Sequence, residues 1–188
     1  MSSFRRVCAI VIALFAAASA VGADVQGVRL EDRISLGGHA LVLNGAGVRA
    51  KLVLKVYVVA LYLPRPAKDV RAVFASAPRR IQMNMLMSVP SSEIVDAIID
   101  TMADNSSPAE LAAVKPQTDK LVALIRPFKE VKKGDVVTLD FIGGGTNLGW
   151  NGKFRGRIPG EAFNRALTRI WLGDKPVQTD LKQKLLGG

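Results

Sequence analysis

Few side chains in this 188-residue chain could do chemistry, and most drop out on inspection. His39 is the single histidine and Cys8 the single cysteine. A Ser-His-Asp triad would have to use His39, and no serine sits in a nucleophile-elbow sequence. A zinc site needs three or four ligands, and His, Cys and carboxylates are nowhere clustered. Gly143-Gly144-Gly145-Thr146 invites a phosphate-loop reading, but it lacks the lysine-serine ending and runs into a strand, so a hairpin turn is expected. No metal, no cofactor and no catalytic residue is expected from these patterns.

What remains is Arg49, just after Gly45-Ala46-Gly47, together with Tyr57. A guanidinium fork suits bidentate contact with a carboxylate, and a phenol can add a neutral hydrogen bond. An ion-paired turn arginine is the competing reading. The pairing also meets a geometric condition. Eight residues of uninterrupted strand separate two side chains by about 26 Å, too far for one carboxylate. Either the chain bends between Ala50 and Leu54, or Tyr57 is not the partner of Arg49.

The elements that must hold these groups are readable from periodicity. Leu63 closes a β-rich run with Val53, Val56, Val58, Val59 and Tyr57, apolar enough to be buried on both faces. Asn44-Gly45 is expected to turn the chain before it, after short strands in Val25–Gly37 and His39–Leu43. Ala67–Ser76 has helical spacing. Ile81–Val89 alternates Met83, Met85 and Met87 against polar residues, a half-buried strand whose methionines fit either plain core or an adaptable apolar wall. A helix from Ser91 or Ser92 to Met102 turns Ile94, Ala97 and Ile98 to one side. A capping box at Ser107-Pro108-Ala109-Glu110 starts another helix, which Pro116 is expected to break before Thr118–Ile125. Asp135–Ile142, Thr146–Trp150 and Lys153–Ile158 read as meandering strands, with Asn151-Gly152 as a two-residue turn. Phe163, Ala166, Leu167, Ile170 and Trp171 form the apolar stripe of a helix over Gly160–Trp171, and Thr179–Leu186 forms a last one. This order implies one α+β domain, an antiparallel sheet with helices on one side.

Composition adds an address. Arg5 and Arg6 precede an apolar run from Val7 to about Val21, and Val21-Gly22-Ala23 is a small-x-small site before Asp24. Residues 1–23 are therefore expected to be a cleaved signal peptide and 24–188 the domain, periplasmic or secreted, with no membrane span after cleavage near Ala23. Cys8 falls inside that leader, so disulfides and thiol catalysis are not expected. The formal charge is +10, and without Arg5 and Arg6 it is 24 basic against 16 acidic side chains, or +8. Such an excess fits anionic lipids or carboxylates, or simply a solvated basic surface. Few aromatics and no recognition motif speak against nucleic acid.

GAGVR at Gly45–Arg49 followed by KVYVVALYL at Lys55–Leu63 resembles the chalcone isomerase segment that carries an active-site arginine. FNRALTRIWLGDKPVQTDLKQKLLG at Phe163–Gly187 resembles the closing helices of the same superfamily, in particular its exported bacterial chalcone-isomerase-like branch. The resemblance spans the chain after the leader. It implies an open-faced β-sandwich, an antiparallel sheet curled over a helical layer with a ligand cleft between. Arg49 matches the arginine, and Tyr57 falls where the fatty-acid-binding members place a tyrosine. Ile94, Thr101 and Ile170 fall where the isomerases carry polar groups that orient a flavonoid, which argues against chalcone isomerase activity. The expected function is therefore non-catalytic binding of a fatty acid or other small amphiphilic carboxylate or lipid. Arg49 and Tyr57 would hold the head, with Met83, Met85, Ile94, Thr101 and Ile170 around the tail. An intramolecular lyase or isomerase on another substrate and a structural envelope protein stand as alternatives.

Overall fold

Alternation along Leu54–Leu63 (β5) decides the architecture. Val59, Leu61 and Leu63 join one apolar cluster, Val58, Ala60 and Tyr62 another, and all six are buried. A strand with two apolar faces needs cover on both. The computed structural model describes residues 22–188, and in it β5 is an interior strand of a seven-stranded antiparallel sheet.

Before β5 come Ala23–Val25 (β1), Val28–Leu30 (β2), Arg33–Leu36 (β3) and His39–Lys51 (β4). After it follow Val70–Ala75 (α1), Arg79–Met85 (β6), Val89–Pro90 (β7), Ser91–Asp104 (α2), Pro108–Ile125 (α3) and Glu130–Val131 (β8). Val136–Ile142 (β9), Gly145–Trp150 (β10), Lys153–Pro159 (β11), Glu161–Leu172 (α4) and Thr179–Leu185 (α5) complete the chain. The sheet order is β11-β10-β9-β6-β5-β4-β3, and the pairs β1–β2 and β7–β8 stand apart from it. Val95, Val114, Leu121, Phe163, Leu167, Ile170, Trp171 and Leu181 bring α2 to α5 onto the face that carries Val59 and Leu61. Leu30, Leu36 and Leu41, with Val25 and Val28 beside them, cover the opposite face. The α+β class and the one-sided helical layer are those expected from the order of elements. The leader expected over residues 1–23 lies outside the described residues except for Gly22 and Ala23, the latter opening β1.

Several local expectations are corrected. Asn44-Gly45 does not turn the chain, and Gly45–Arg49 is strand: β4 runs unbroken from His39 to Lys51. The pair instead makes a bulge between Leu43 and Gly45. Asn44 turns its amide to the loop before α1 and to the end of α5, donating to the Ala67 and Leu185 carbonyls at 3.0 and 2.7 Å and accepting from the Ala67 N–H at 2.7 Å. Gly45 is required by proximity, since a Cβ there would overlap the Lys184 carbonyl. Val25–Gly37 contributes not one strand but parts of three. The strand expected over Ile81–Val89 begins earlier and stops at Met85, where the Met85 and Val56 carbonyls accept from Gly134 and Leu86, outside the ladder.

Pro116 does not break its helix either, and α3 is continuous over 18 residues. Proline removes one backbone donor and crowds a carbonyl one turn back. Here it sits on the exposed side of α3, where water can take the released carbonyl. By contrast, the Ser107–Glu110 capping box forms as expected, with bonds of 2.8 and 3.3 Å. The Gly143-Gly144 hairpin (φ 55° and 69°) and the Asn151-Gly152 turn (φ 50° and 74°) also form as read.

Candidate functional site

The bend that would let Arg49 meet Tyr57 exists. The chain reverses at Leu52-Val53, so that Lys51 pairs with Leu54 and Arg49 lies directly opposite Tyr57 across the β4–β5 ladder. Residues so opposed have Cβ atoms about 5 Å apart. Tyr57 belongs to the cluster under the helices, and Arg49 lies on the same side as Gly47, which faces Leu181 of α5. The two side chains open into one cavity of about 370 Å³ between sheet and helices.

All seven candidates from the sequence line this cavity: Arg49, Tyr57, Met83, Met85, Ile94, Thr101 and Ile170. Their elements explain why. The inward residues of β6 supply the methionines. Ile94, Ala97, Ile98 and Thr101 form an i, i+3, i+4, i+7 stripe along α2 that faces the same space. Thr101 brings no free donor, because its hydroxyl donates to the Ala97 carbonyl at 2.7 Å. Ile170 packs from α4, beside Leu167 and Trp171. Trp150, stacked on Phe128 at 4.1 Å, closes the wall near Met85 and Val131.

The polar end is built by residues far apart in sequence. Arg49 Nη1 donates to the Ala50 carbonyl and, at 3.4 Å, to Gln178 Oε1. Gln178, which precedes α5, also accepts from the Ala50 N–H at 2.9 Å and donates to the Val48 carbonyl at 3.3 Å. These bonds span the second bulge of β4, between Arg49 and Ala50, and anchor the arginine there. Among the described residues, none of the ion pairs involves Arg49. A partly buried guanidinium beside apolar walls, without an anionic partner, favours an anion brought by a ligand.

Trp171 Nε1 donates to the Tyr57 hydroxyl at 3.2 Å. Burial raises the Tyr57 pKa above the usual 10.0, against smaller lowering effects of the Trp171 bond and the Arg49 charge. The phenol is therefore neutral across the ordinary pH range. With its oxygen occupied by the indole, its own O–H is left to donate, a role suited to a ligand oxygen. Lys51 and Glu93 also line the cavity and are exposed. Among the described residues no three His, Cys, Asp or Glu groups gather as a metal site, and no helix is long and apolar enough to cross a membrane. His39 stands exposed at the start of β4, away from this site.

Sequence reasoning missed Gln178, Trp171 and Glu93. Gln178 and Trp171 act on partners 129 and 114 positions away, and nothing local marks them. Glu93 carried a weak signal, one turn before Ala97 on the stripe of α2.

The family is shown by comparison. The model of the chalcone isomerase-like family matches residues 22–187, and the chain belongs to that family. Among solved structures it is similar to the Arabidopsis thaliana fatty-acid binding protein AtFAP1, with a TM-score of 0.67 and 11% identity over 85% of this chain and 92% of that one. At that identity the likeness is one of fold: the curled antiparallel sheet with its helical layer. No curated protein matches the sequence at a significant level.

Proposed function

We propose that this protein binds an aliphatic carboxylate without transforming it, with the head on Arg49 and Tyr57 and the tail in the cavity. The observation that carries the reading is the Arg49 guanidinium at one end of a largely apolar space, where among the described residues no carboxylate, Glu93 of the lining included, pairs with it. Arg49 would supply charge-assisted hydrogen bonds and Tyr57 a neutral one. Met83, Met85, Ile94 and Ile170 would shed water onto the alkyl chain. A half-buried neutral phenol with a raised pKa suits a fixed donor better than a proton-abstracting base. The fatty-acid binding protein of similar fold supports the same class of ligand.

Cavity size narrows the class. A cavity of about 150 Å³ holds benzene, so about 370 Å³ accepts roughly fifteen non-hydrogen atoms, a saturated acid of about twelve to fourteen carbons. The basic leader-like start of the chain supports an exported location for this binding, as part of the proposal. Lipid extraction of the purified protein followed by mass spectrometry, with titration of dodecanoate, tests the reading. A co-purifying acid and saturable one-to-one binding are expected. No extractable lipid together with no dodecanoate binding would sink it.

A further inference from the structure

The hairpin that brings Arg49 to Tyr57 ends in an unusual tip. Leu52 is 95% exposed, Val53 91% and Leu54 55%, three consecutive aliphatic residues in water. The last β5–β6 pair is Tyr57 with Met85, whereas β4 and β5 stay paired out to Lys51 and Leu54. The tip therefore projects about 10 Å beyond its neighbouring strand. Leu52 also takes a positive φ of 56°, a conformation that favours Gly, Asn or Asp. The chain's other two-residue turns, Gln26-Gly27, Gly37-Gly38, Gly143-Gly144 and Asn151-Gly152, all carry glycine, so Leu-Val here follows neither backbone preference nor solubility. Residues that break the local rules at an exposed site point to a partner.

Charge selects the partner. Lys51 and Lys55 flank the tip and are exposed, and among the described residues Lys55 Nζ bonds the neutral Gln26 Oε1, at 2.7 Å, and no carboxylate. Lys132 and Lys133, also exposed, lie in the loop tied to the same end of the sheet by the Gly134 N–H to Met85 carbonyl bond of 2.9 Å. Asp135 of that loop is engaged by Trp150 and Asn151 at 3.2 and 2.8 Å. Aliphatic residues flanked by two lysines, with two more at the same end of the sheet, match the acyl boundary and headgroups of an anionic bilayer. Leu52 and Leu54 meanwhile line the cavity, so the tip is also its mouth.

We infer that the Leu52-Val53-Leu54 tip inserts into anionic lipid bilayers and opens the cavity mouth onto them. An amphiphilic carboxylate then passes between bilayer and cavity without crossing water. The cargo rests on the proposed function, whereas the docking does not.

An environment-sensitive nitrobenzoxadiazole dye on Val53→Cys, in a Cys8→Ser background, reads the tip directly. The same dye on His39→Cys reads the opposite end of β4. With vesicles of phosphatidylglycerol and phosphatidylcholine in equal parts, the dye at 53 blue-shifts and the dye at 39 does not. The double change Lys55→Glu, Lys133→Glu weakens partitioning about tenfold or more, as does replacing phosphatidylglycerol by phosphatidylcholine. Val53→Asp, which lies outside the cavity lining, keeps dodecanoate binding from solution but slows delivery from vesicles. No shift at 53, equal shifts at 53 and 39, or a shift that follows protein concentration without vesicles overturns the inference. If wild type fails to bind dodecanoate yet the dye at 53 shifts, the cavity reading fails and the docking stands.

Discussion

At the residue scale the proposed site depends on Arg49, which forms no ion pair among the described residues. Removing Arg49 leaves the cavity apolar and intact, so Arg49→Ala should weaken dodecanoate binding by about 1.5–3 kcal/mol, roughly ten- to hundredfold, with thermal stability unchanged or raised. Isothermal titration beside a melting curve separates the two effects. Tyr57→Phe removes a neutral donor and also strands the Trp171 indole, so a smaller loss of binding, about 0.5–1.5 kcal/mol, comes with a lower melting temperature. The pH dependence has a definite sign. Tyr57 is neutral below its ordinary pKa of 10.0 and burial moves it further up, so it contributes no titration between pH 6 and 9. A ligand carboxylate paired with Arg49 has a lower pKa bound than free. Affinity should thus be flat over that range and fall as pH drops below the free carboxyl pKa of about 4–5. Binding that strengthens on acidification would contradict the carboxylate as the recognised form.

At the scale of elements, α5 and the doubly bulged β4 form one device. Gly45 lets the helix end approach, Gly47 admits Leu181 at a distance a Cβ would reduce to 2.7 Å, and Gln178 before α5 anchors Arg49. Gly45→Ala would force the Lys184 carbonyl aside, for an expected cost of about 1–3 kcal/mol by urea denaturation. The same variant should weaken dodecanoate binding, because Gln178 moves with α5. Unchanged affinity in a clearly destabilised Gly45→Ala would separate the helix from the site. The start of α3 gives a second check. The Ser107 backbone N–H, then the Arg169 guanidinium at 3.0 Å, hold the Glu110 pKa near about 2, below the ordinary 4.5. A depressed carboxyl stabilises above its unfolded pKa and loses that contribution as pH falls through the folded value. The stability gap between wild type and Glu110→Gln should hold from pH 7 to 5 and close between about 4.5 and 2, as read from urea midpoints.

At the scale of the molecule, the sequence carried the class of fold because alternation and helical stripes are local signals. β5 announced burial on both faces, α4 its stripe, and Asn151-Gly152 its turn. The hairpin that assembles the site was not legible, since Leu52-Val53 breaks the turn preferences by which turns are read. Asn44-Gly45 misled for the converse reason: residues suited to a turn serve a bulge and a close helix approach. Pro116 misled because an exposed helical carbonyl tolerates losing its donor. Arg49 was visible as a residue type, while Gln178 and Trp171 were not, because their roles exist only once α4 and α5 close over the sheet. The resulting molecule is a chalcone isomerase-like scaffold with a largely apolar cavity that Arg49 enters from one end.

The most direct test is a titration of the lipid-stripped protein with saturated acids of eight to eighteen carbons, beside dodecanol as the uncharged analogue. The account predicts one site per chain, tightest near twelve to fourteen carbons, with dodecanol and the Arg49→Ala variant each roughly ten- to hundredfold weaker. Equal affinity for dodecanoate and dodecanol, or binding indifferent to Arg49→Ala, would contradict it.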